Sequence, residues 1–455
     1  MSKKHDKSKG LTRRDVLKIS AASAVAASTP MFFVKDAWAQ KAIGNFPVNG
    51  PTVTYGFNVP LTSIYADEGE DELRAYKLAV KHLNNGGGMV ETLQPNALKR
   101  NGVLGKKVEY VVGDTQTNPD AARTSARRMI ERDKVIMFSG GSSSAIAIAQ
   151  QYLAQELGVI FMCGLTHSND TTGKDKRRYG FRHFFNAYMT GKALAPILSK
   201  EYGKDRRAFH LTADYTWGHT QYQSMKDFTE KEGWTTVDNI MTPVKTTDFS
   251  QFLTPILNSD ADVLILNHYG KNMNNSLTNA VEFGFKEMQK NGKNMEIVVP
   301  LYSRLMAKGA GQKNIEGVLG TTAWNWTQKD DDPGSKAFVE TFEKEYGFPP
   351  SQAAQTCYVQ TIIYSDAVER AGTFYPPAVI KALEGHEFAG TGPGKTLYRA
   401  EDHQCFKDML VVKGKSPSQL KGKYDLLEIV SKVKREDTVY PVDTFPGELG
   451  PYEPA

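Results

Sequence analysis

Residues 138–152 read FSGGSSSAIAIAQQY. The apolar run VIMF, 135–138, leads into two glycines and three serines, and an alanine-rich stretch with helical character follows. A short β-branched run that turns through Gly and Ser straight into a helix is the repeating unit of a parallel α/β sheet. Backbone N–H groups and hydroxyls then converge on one spot, which suits an anion or a carbonyl oxygen. A phosphate loop needs G-x-x-x-x-G-K-[ST], and no lysine follows here. A nucleophile elbow needs G-x-S-x-G, and serine stands where its second glycine belongs. A non-covalent cradle for a carboxylate or amide at Ser142 and Ser143 remains, with a plain Ser-rich helix cap as the alternative.

The same alternation runs outward in both directions. TVTYGFNVP, KKVEYVVGD, KVIMFSG and GVIFMCG read as strands; DELRAYKLAVKHLNN, NPDAARTSARRMIERD and SSAIAIAQQYLAQEL read as helices between them. Asn118 and Pro119 have the residue types of an N-cap and a first helical turn. A second series begins after Phe181, with RRAFHLTAD, TTVDNIMTP, ADVLILNHY, MEIVVPLYS and GVLGTTAW as strands. Helices follow near 334–346, 352–371 and 376–385, and short antiparallel strands close the chain. Two like series predict an α/β protein of two lobes, each a parallel-rich sheet flanked by helices.

The chain has 455 residues, 40% hydrophobic and 24% charged, enough for two domains with large cores. Its first 39 residues stand apart. They are basic, contain the mildly apolar AASAVAASTPMFFV, and end on the small-x-small pattern AWA before Gln40. Arg13–Arg14 in TRRDVLK resembles a twin-arginine export signal, cleaved after Ala39. Of the 56 Lys and Arg, eight lie in this segment, and of the 51 Asp and Glu, three, which leaves 48 of each in residues 40–455. A chain so balanced exerts no gross pull on nucleic acid. No apolar run of ~18 residues follows Ala39, so no membrane span is expected. Three cysteines make neither a disulfide framework nor a Cys-rich metal site. HQC at 403–405 offers two metal-ligand types without spaced partners, so neither metal nor cofactor is expected.

Ligands of parallel α/β sheets bind at the carboxyl ends of strands. The loops there carry Tyr65, Ser142, Ser143, Thr166, Tyr215, Trp217, His268, Tyr269 and Tyr302. Hydroxyls come from the first series and aromatic faces mostly from the second, a combination suited to a small ligand with one polar end and an apolar or planar body. The acidic run ADEGEDE, 66–72, opens a helix, where its charge is favourable; the sharper reading lets Glu68 or Glu70 meet a cationic part of the ligand.

These pieces, in order, resemble the solute-binding proteins of ABC importers of the leucine/isoleucine/valine-binding type. The similarity covers 50–430 and rests on PLTS, LAVKHLNNGGG, NPDAARTSARRMIERDKVIMFSGGSSS, GFRHFF, YTWGHT, TTDFSQFLTPILNSDADVLIL and VEFGFK. The resemblance implies a type I periplasmic binding protein, a clamshell of two lobes joined by three hinge crossings near 180, 322 and 386. Lobe 1 would be 50–180 plus 323–385, and lobe 2 would be 181–322 plus 386–455. It further implies a periplasmic monomer that needs no cofactor and delivers its ligand to membrane permease subunits. By position, Ser142 and Thr166 look like the family's carboxylate holders, Trp217 stands where a tyrosine before glycine is usual, and Tyr269 looks like the second-lobe aromatic. The amino-acid binders place an acid after the strand at 296–299 to receive the ammonium; VVPLYSR offers Leu301 and Tyr302 instead. A carboxylate or amide lacking the amine, aromatic acids included, is therefore as much expected as an α-amino acid. A ligand sensor would use the same clamshell. An exported amidase or hydrolase would need a nucleophile and base, for which Cys163 and His167 form the one tempting pair, although a buried thiol beside a loop-surface histidine is the plainer reading.

Overall fold

Strand β1, Thr52–Val59, is buried along nearly its whole length, as a strand covered by helices on both faces must be. It lies in a five-stranded parallel sheet with β2 (Lys107–Asp114), β3 (Met137–Gly140), β4 (Ile160–Cys163) and β5 (Gly180–Arg182), in the order β2-β1-β3-β4-β5. Helices α1 (Ala66–Asn85), α2 (Pro119–Glu131) and α3 (Ser144–Leu157) form the crossovers. The α2 start is fixed as its sequence predicts, with the Asn118 side chain accepting from the N–H groups of Asp120 and Ala121. The strand order reverses between β1 and β3, so a crevice opens at their carboxyl ends. This computed structural model describes residues 41–454, and the export segment read at 1–39 lies outside the described residues.

The second series repeats the plan. After α4 (Ala187–Tyr202), β6 (Arg207–Ala213), β7 (Thr235–Thr242), β8 (Val263–Asn267), β9 (Glu296–Leu301) and β10 (Leu319–Thr322) pair in parallel in the order β7-β6-β8-β9-β10. Its crossovers are α5 (Thr216–Lys231), α6 (Ser250–Asn258), α7 (Gly270–Glu282) and α8 (Arg304–Ala310). Strand β11 (Met409–Gly414) pairs antiparallel with β10, and β12 (Leu427–Val433) pairs antiparallel with β11 at the sheet's edge.

Each sheet has its own core. After β10 the chain returns to the first core through α9 (Pro333–Tyr346), α10 (Gln352–Ala371) and α11 (Pro376–Leu383), which bury Phe338, Tyr358, Ile362 and Leu383 there. The core changes between Phe181 and Phe184 and between Ala323 and Trp324. A third change lies beyond 386. A small antiparallel sheet, Glu387–Phe388, Thr396–Tyr398 and Cys405–Phe406, carries Phe388, Tyr398 and Cys405 into the first core, whereas Phe406 and Met409 lie in the second.

The tail crosses once more. Tyr440 and Phe445 pack on the second core. The N–H of Arg178 then donates to Leu449, and the Tyr179 hydroxyl donates to the carbonyl of Tyr452 at 2.6 Å, both on the first core's side. The tail ends beside Gly158. A Cβ built there would lie 2.7 Å from Cγ2 of Ile43 and 3.0 Å from Cγ of Pro454, so both ends of the described chain meet at this glycine.

Candidate functional site

The loop after β3 is shaped by its backbone. Gly140 has φ +127°, and a Cβ on it would meet the carbonyl oxygen of Asn58 at 2.0 Å, so only glycine fits. Gly141 follows at φ +90°. Ser143 is no glycine, yet it sits at φ 111°, a strained conformation of the kind held at binding sites. The turn aims Ser142, Ser143 and Ser144 at the crevice beyond β1 and β3.

These serines form one wall of a small cavity of about 20 Å³, room for about one water molecule. Its other walls are Tyr65 after β1, Leu165 and His167 after β4, Tyr215 and Trp217 after β6, Tyr269 after β8, and Leu301 at the end of β9. Both sheets thus contribute, each from the carboxyl ends of parallel strands. Ring centroids lie 5.9 Å apart for Tyr65 and Tyr269, 5.9 Å for Tyr215 and Trp217, and 6.3 Å for Trp217 and Tyr269. Helices α2, α4, α8, α9 and α10 are each capped by their N-cap side chain. Helices α3, α5 and α7, which start at Ser143, Tyr215 and Tyr269, have no such cap, and their first N–H groups face the cavity end of each helix.

Polar contacts join loops of the two sheets around the cavity. The hydroxyls of Tyr65 and Tyr215 are 3.0 Å apart. Trp217 Nε1–H donates to His167 Nδ1 at 2.8 Å. Because Nδ1 accepts, the ring proton sits on Nε2, which donates to Thr190 Oγ1 at 3.0 Å. Burial holds His167 well below the usual histidine range, in keeping with this neutral tautomer. Beside it, Thr216 Oγ1 donates to Asp170 at 2.6 Å.

Six of the nine residues expected at the site line the cavity: Tyr65, Ser142, Ser143, Tyr215, Trp217 and Tyr269. Three do not. Thr166 turns to Ser144 and Thr171 at 3.1 and 3.2 Å. His268 is buried between Thr242 and Ser276, each at 2.9 Å. Tyr302 is buried in the second core behind Leu301. His167, expected on a loop surface, is buried in the wall instead. Ser144, Leu165 and Leu301 are wall residues that reading the loops did not single out; Ser144 accepts from the N–H groups of His167 and Ser168 at 3.2 and 2.9 Å and so fixes the β4 loop.

The acidic run divides. Glu70 is exposed and pairs with Arg74 at 3.0 Å. Glu68 and Glu72 are buried, and burial pushes each carboxyl up to about 8. Glu72 stands behind the serine wall: Ser142 Oγ–H donates to its Oε1, and its Oε2 has no partner among the described residues. Cys163, Cys357 and Cys405 are buried free thiols, and burial pushes Cys163 up to about 12. Among the described residues no group of three or more His, Cys, Asp and Glu is placed to hold a metal ion, and no helix is long and apolar enough to cross a membrane.

Residues 52–419 match the family model described as periplasmic binding protein. A relative from Brucella abortus (strain 2308), named Leu/Ile/Val-binding protein homolog 8, is 25% identical over 364 residues, covering 75% of this chain and 83% of its own. Among solved structures, a periplasmic binding protein from Burkholderia mallei superposes with a TM-score of 0.76 at 24% identity, over 86% of this chain and 97% of that one. An ABC transporter solute-binding protein from Rhodopseudomonas palustris BisB5, in complex with 3,4-dihydroxybenzoic acid, gives 0.71 at 20% identity, over 85% and 98%. At these identities the two structures speak for a common fold.

Proposed function

The chain belongs to the periplasmic binding protein family, and on that premise we propose that it captures a small ligand between its two cores and hands it to an ABC importer. The observation that carries this reading is the cavity itself, walled by serines from one sheet and by aromatic rings mostly from the other. We take the two cores as lobes that part and close. A ligand of more than a few atoms enters a cavity this small only when the lobes separate, and contacts to both lobes then favour the closed form by the difference in affinity between the two forms. The permease would read the closed shape. The relatives' names include leucine, isoleucine and valine binding, and a dihydroxybenzoate complex, so amino acids, amides and aromatic acids define the field to search. We place the protein in the periplasm as a monomer, with the Arg13–Arg14 segment as its twin-arginine export signal cleaved after Ala39. A hydrolase gains little support from Cys163, whose thiol burial keeps protonated, or from His167, whose two nitrogens are taken by Trp217 and Thr190.

The test is calorimetric titration of residues 40–455 with amino acids, amides, ureas and carboxylates. Saturable binding that is abolished by Ser142→Ala with Trp217→Ala, in a variant that still unfolds cooperatively although at a lower temperature, is the expected result. Turnover of an amide or ester in the same samples, without binding of intact ligand, would reverse it.

A further inference from the structure

Resting on the reading that the two cores part and close, we propose that residues 440–452 are a splint: they tie the second core to the first beside the chain's first change of core, limit how far the two separate, and hold the ligand-free protein toward its closed form.

The segment lies past residue 419, where the match to the family ends, and it pairs with no strand. Its first anchor is on the second core. Tyr440 is buried there, its hydroxyl accepting from Asn186 Nδ2 at 2.8 Å and its carbonyl from Arg399 Nη1 at 2.6 Å. Its ring centroid lies 5.2 Å from that of Tyr188 and 5.2 Å from that of Phe445. The second anchor is on the first core, against which Tyr452 packs. The carbonyls of Leu449 and Gly450 accept from the backbone N–H and the Nε–H of Arg178 at 2.5 and 3.1 Å. The Tyr452 hydroxyl donates to Glu384 at 2.6 Å, a carboxylate that Arg178 and His403 also hold, at 2.6 and 3.0 Å. Between the anchors, Phe445 sits in the joint itself. Its ring is 5.7 Å from Tyr188 of the second core, and its Cβ is 3.0 Å from a Cβ built on Gly173, in the β4–β5 loop of the first sheet. Four residues lead from Phe445 to Leu449, and an extended chain spans at most about 3.5 Å per residue, so these two points separate by no more than about 14 Å. Parting the cores therefore strips Phe445 from one of its two faces or pulls Leu449–Tyr452 off Arg178, Tyr179 and Glu384, leaving partly buried polar groups unpaired. Either loss raises the free energy of the open form and lowers its population.

The test slackens the splint without removing its anchors. Residues 40–455, which form one compact unit, are compared with the same protein carrying a Gly/Ser linker of about eight residues between Pro446 and Gly447, which adds about 16 Å of reach. A third protein, 40–442, lacks the second anchor; should it fail to fold, the linker variant, with both anchors intact, still decides. Each carries spin labels at Asp120→Cys, at the start of α2, and Lys245→Cys, after β7, both exposed positions. The native Cys163, Cys357 and Cys405 are buried and take no label. Double electron–electron resonance reads the distance across the two sheets in the ligand-free proteins. A mean distance longer by at least about 5 Å in the linker variant than in the parent is expected. An unchanged distance in a folded linker variant, while the parent's distance responds to any member of the amino acid, amide, urea and carboxylate panel, overturns the splint alone. One narrow distance, the same in every protein and unmoved by the whole panel, overturns the reading that the cores part, and the splint with it.

Discussion

Trp217, at the start of α5 on the second sheet, donates its indole N–H to Nδ1 of His167, on the β4 loop of the first, at 2.8 Å. The bond links loops of the two sheets, would break if the lobes part as proposed, and requires a neutral imidazole. Trp217→Phe keeps an aromatic wall but removes the donor. A neutral hydrogen bond contributes ~1 kcal/mol, so ligand affinity should fall about fivefold, with a melting temperature of the free protein that barely moves. Titration calorimetry on both proteins checks it. A loss of less than twofold would mean that this contact does not report closure.

Gly270 lets the cores approach. It has φ +59°, and a Cβ on it would meet Cδ1 of Tyr65 at 2.7 Å and the carbonyl oxygen of Ile64 at 2.8 Å, both on the opposite side of the cavity. Gly270→Ala should prop the lobes apart. The expected signs are a larger radius of gyration by solution X-ray scattering with ligand present, and affinity reduced at least tenfold. Local strain costs about 1–2 kcal/mol of stability, well short of unfolding.

The β3 turn gives a pair of opposed outcomes. Gly140→Ala puts a methyl 2.0 Å from the carbonyl oxygen of Asn58, where both partners are backbone, and should cost about 3 kcal/mol or more. Ser143→Gly relieves a serine held at φ 111° and should gain about 1 kcal/mol after the extra entropy of glycine is subtracted. Urea unfolding of the two variants beside the parent separates them. Equal destabilisation by both would contradict the strained turn.

Acid should destabilise the fold. Burial lowers seven histidines: His82 to about 4, His210, His268 and His386 to about 3, and His167, His183 and His403 below their usual range. Above pH ~6.5 these are neutral folded or unfolded and contribute no slope. Below it the unfolded chain takes up protons that the folded chain refuses, at about 1.4 kcal/mol per pH unit for each group. Glu68 and Glu72 act the other way: raised to about 8, they bind protons in the fold between pH ~4.5 and 8 and lose stability as pH rises through that window. Seven groups outweigh two, so the melting temperature should fall steadily from pH 6.5 to 4.5. A flat profile would show that these histidines open to solvent.

The sheets and the strand ends that form the site were legible because both alternate in a plain pattern. Which residue at each strand end faces the cavity was less so, and the three expected residues that do not line it share one cause. Thr166 lies between Leu165 and His167, His268 precedes Tyr269, and Tyr302 follows Leu301; in each case the neighbour lines the cavity. Side chains alternate direction along an extended chain, so an error of one position reverses the face. Glu72 escaped for another reason, since it lies two turns into α1 and not on a loop. Its signal was present: it shares a buried helix face with Glu68, Ala75, Tyr76 and Ala79, where an acid is out of place. The change of core at Cys405–Phe406 hung on three short strands whose pairing no local pattern announces.

The meeting of Ile43 and Pro454 at Gly158 makes the described chain nearly a closed ring. A short linker between those ends, with new termini opened in the exposed turn at Asn291–Gly292 on the far sheet, would give a circular permutant with every strand pairing kept. It also settles how the molecule answers to being held. A bead, a dye-bearing surface or a fused domain attached at either described end would grip the first sheet's side, and the proposed parting of the cores would then be read as movement of the other side alone.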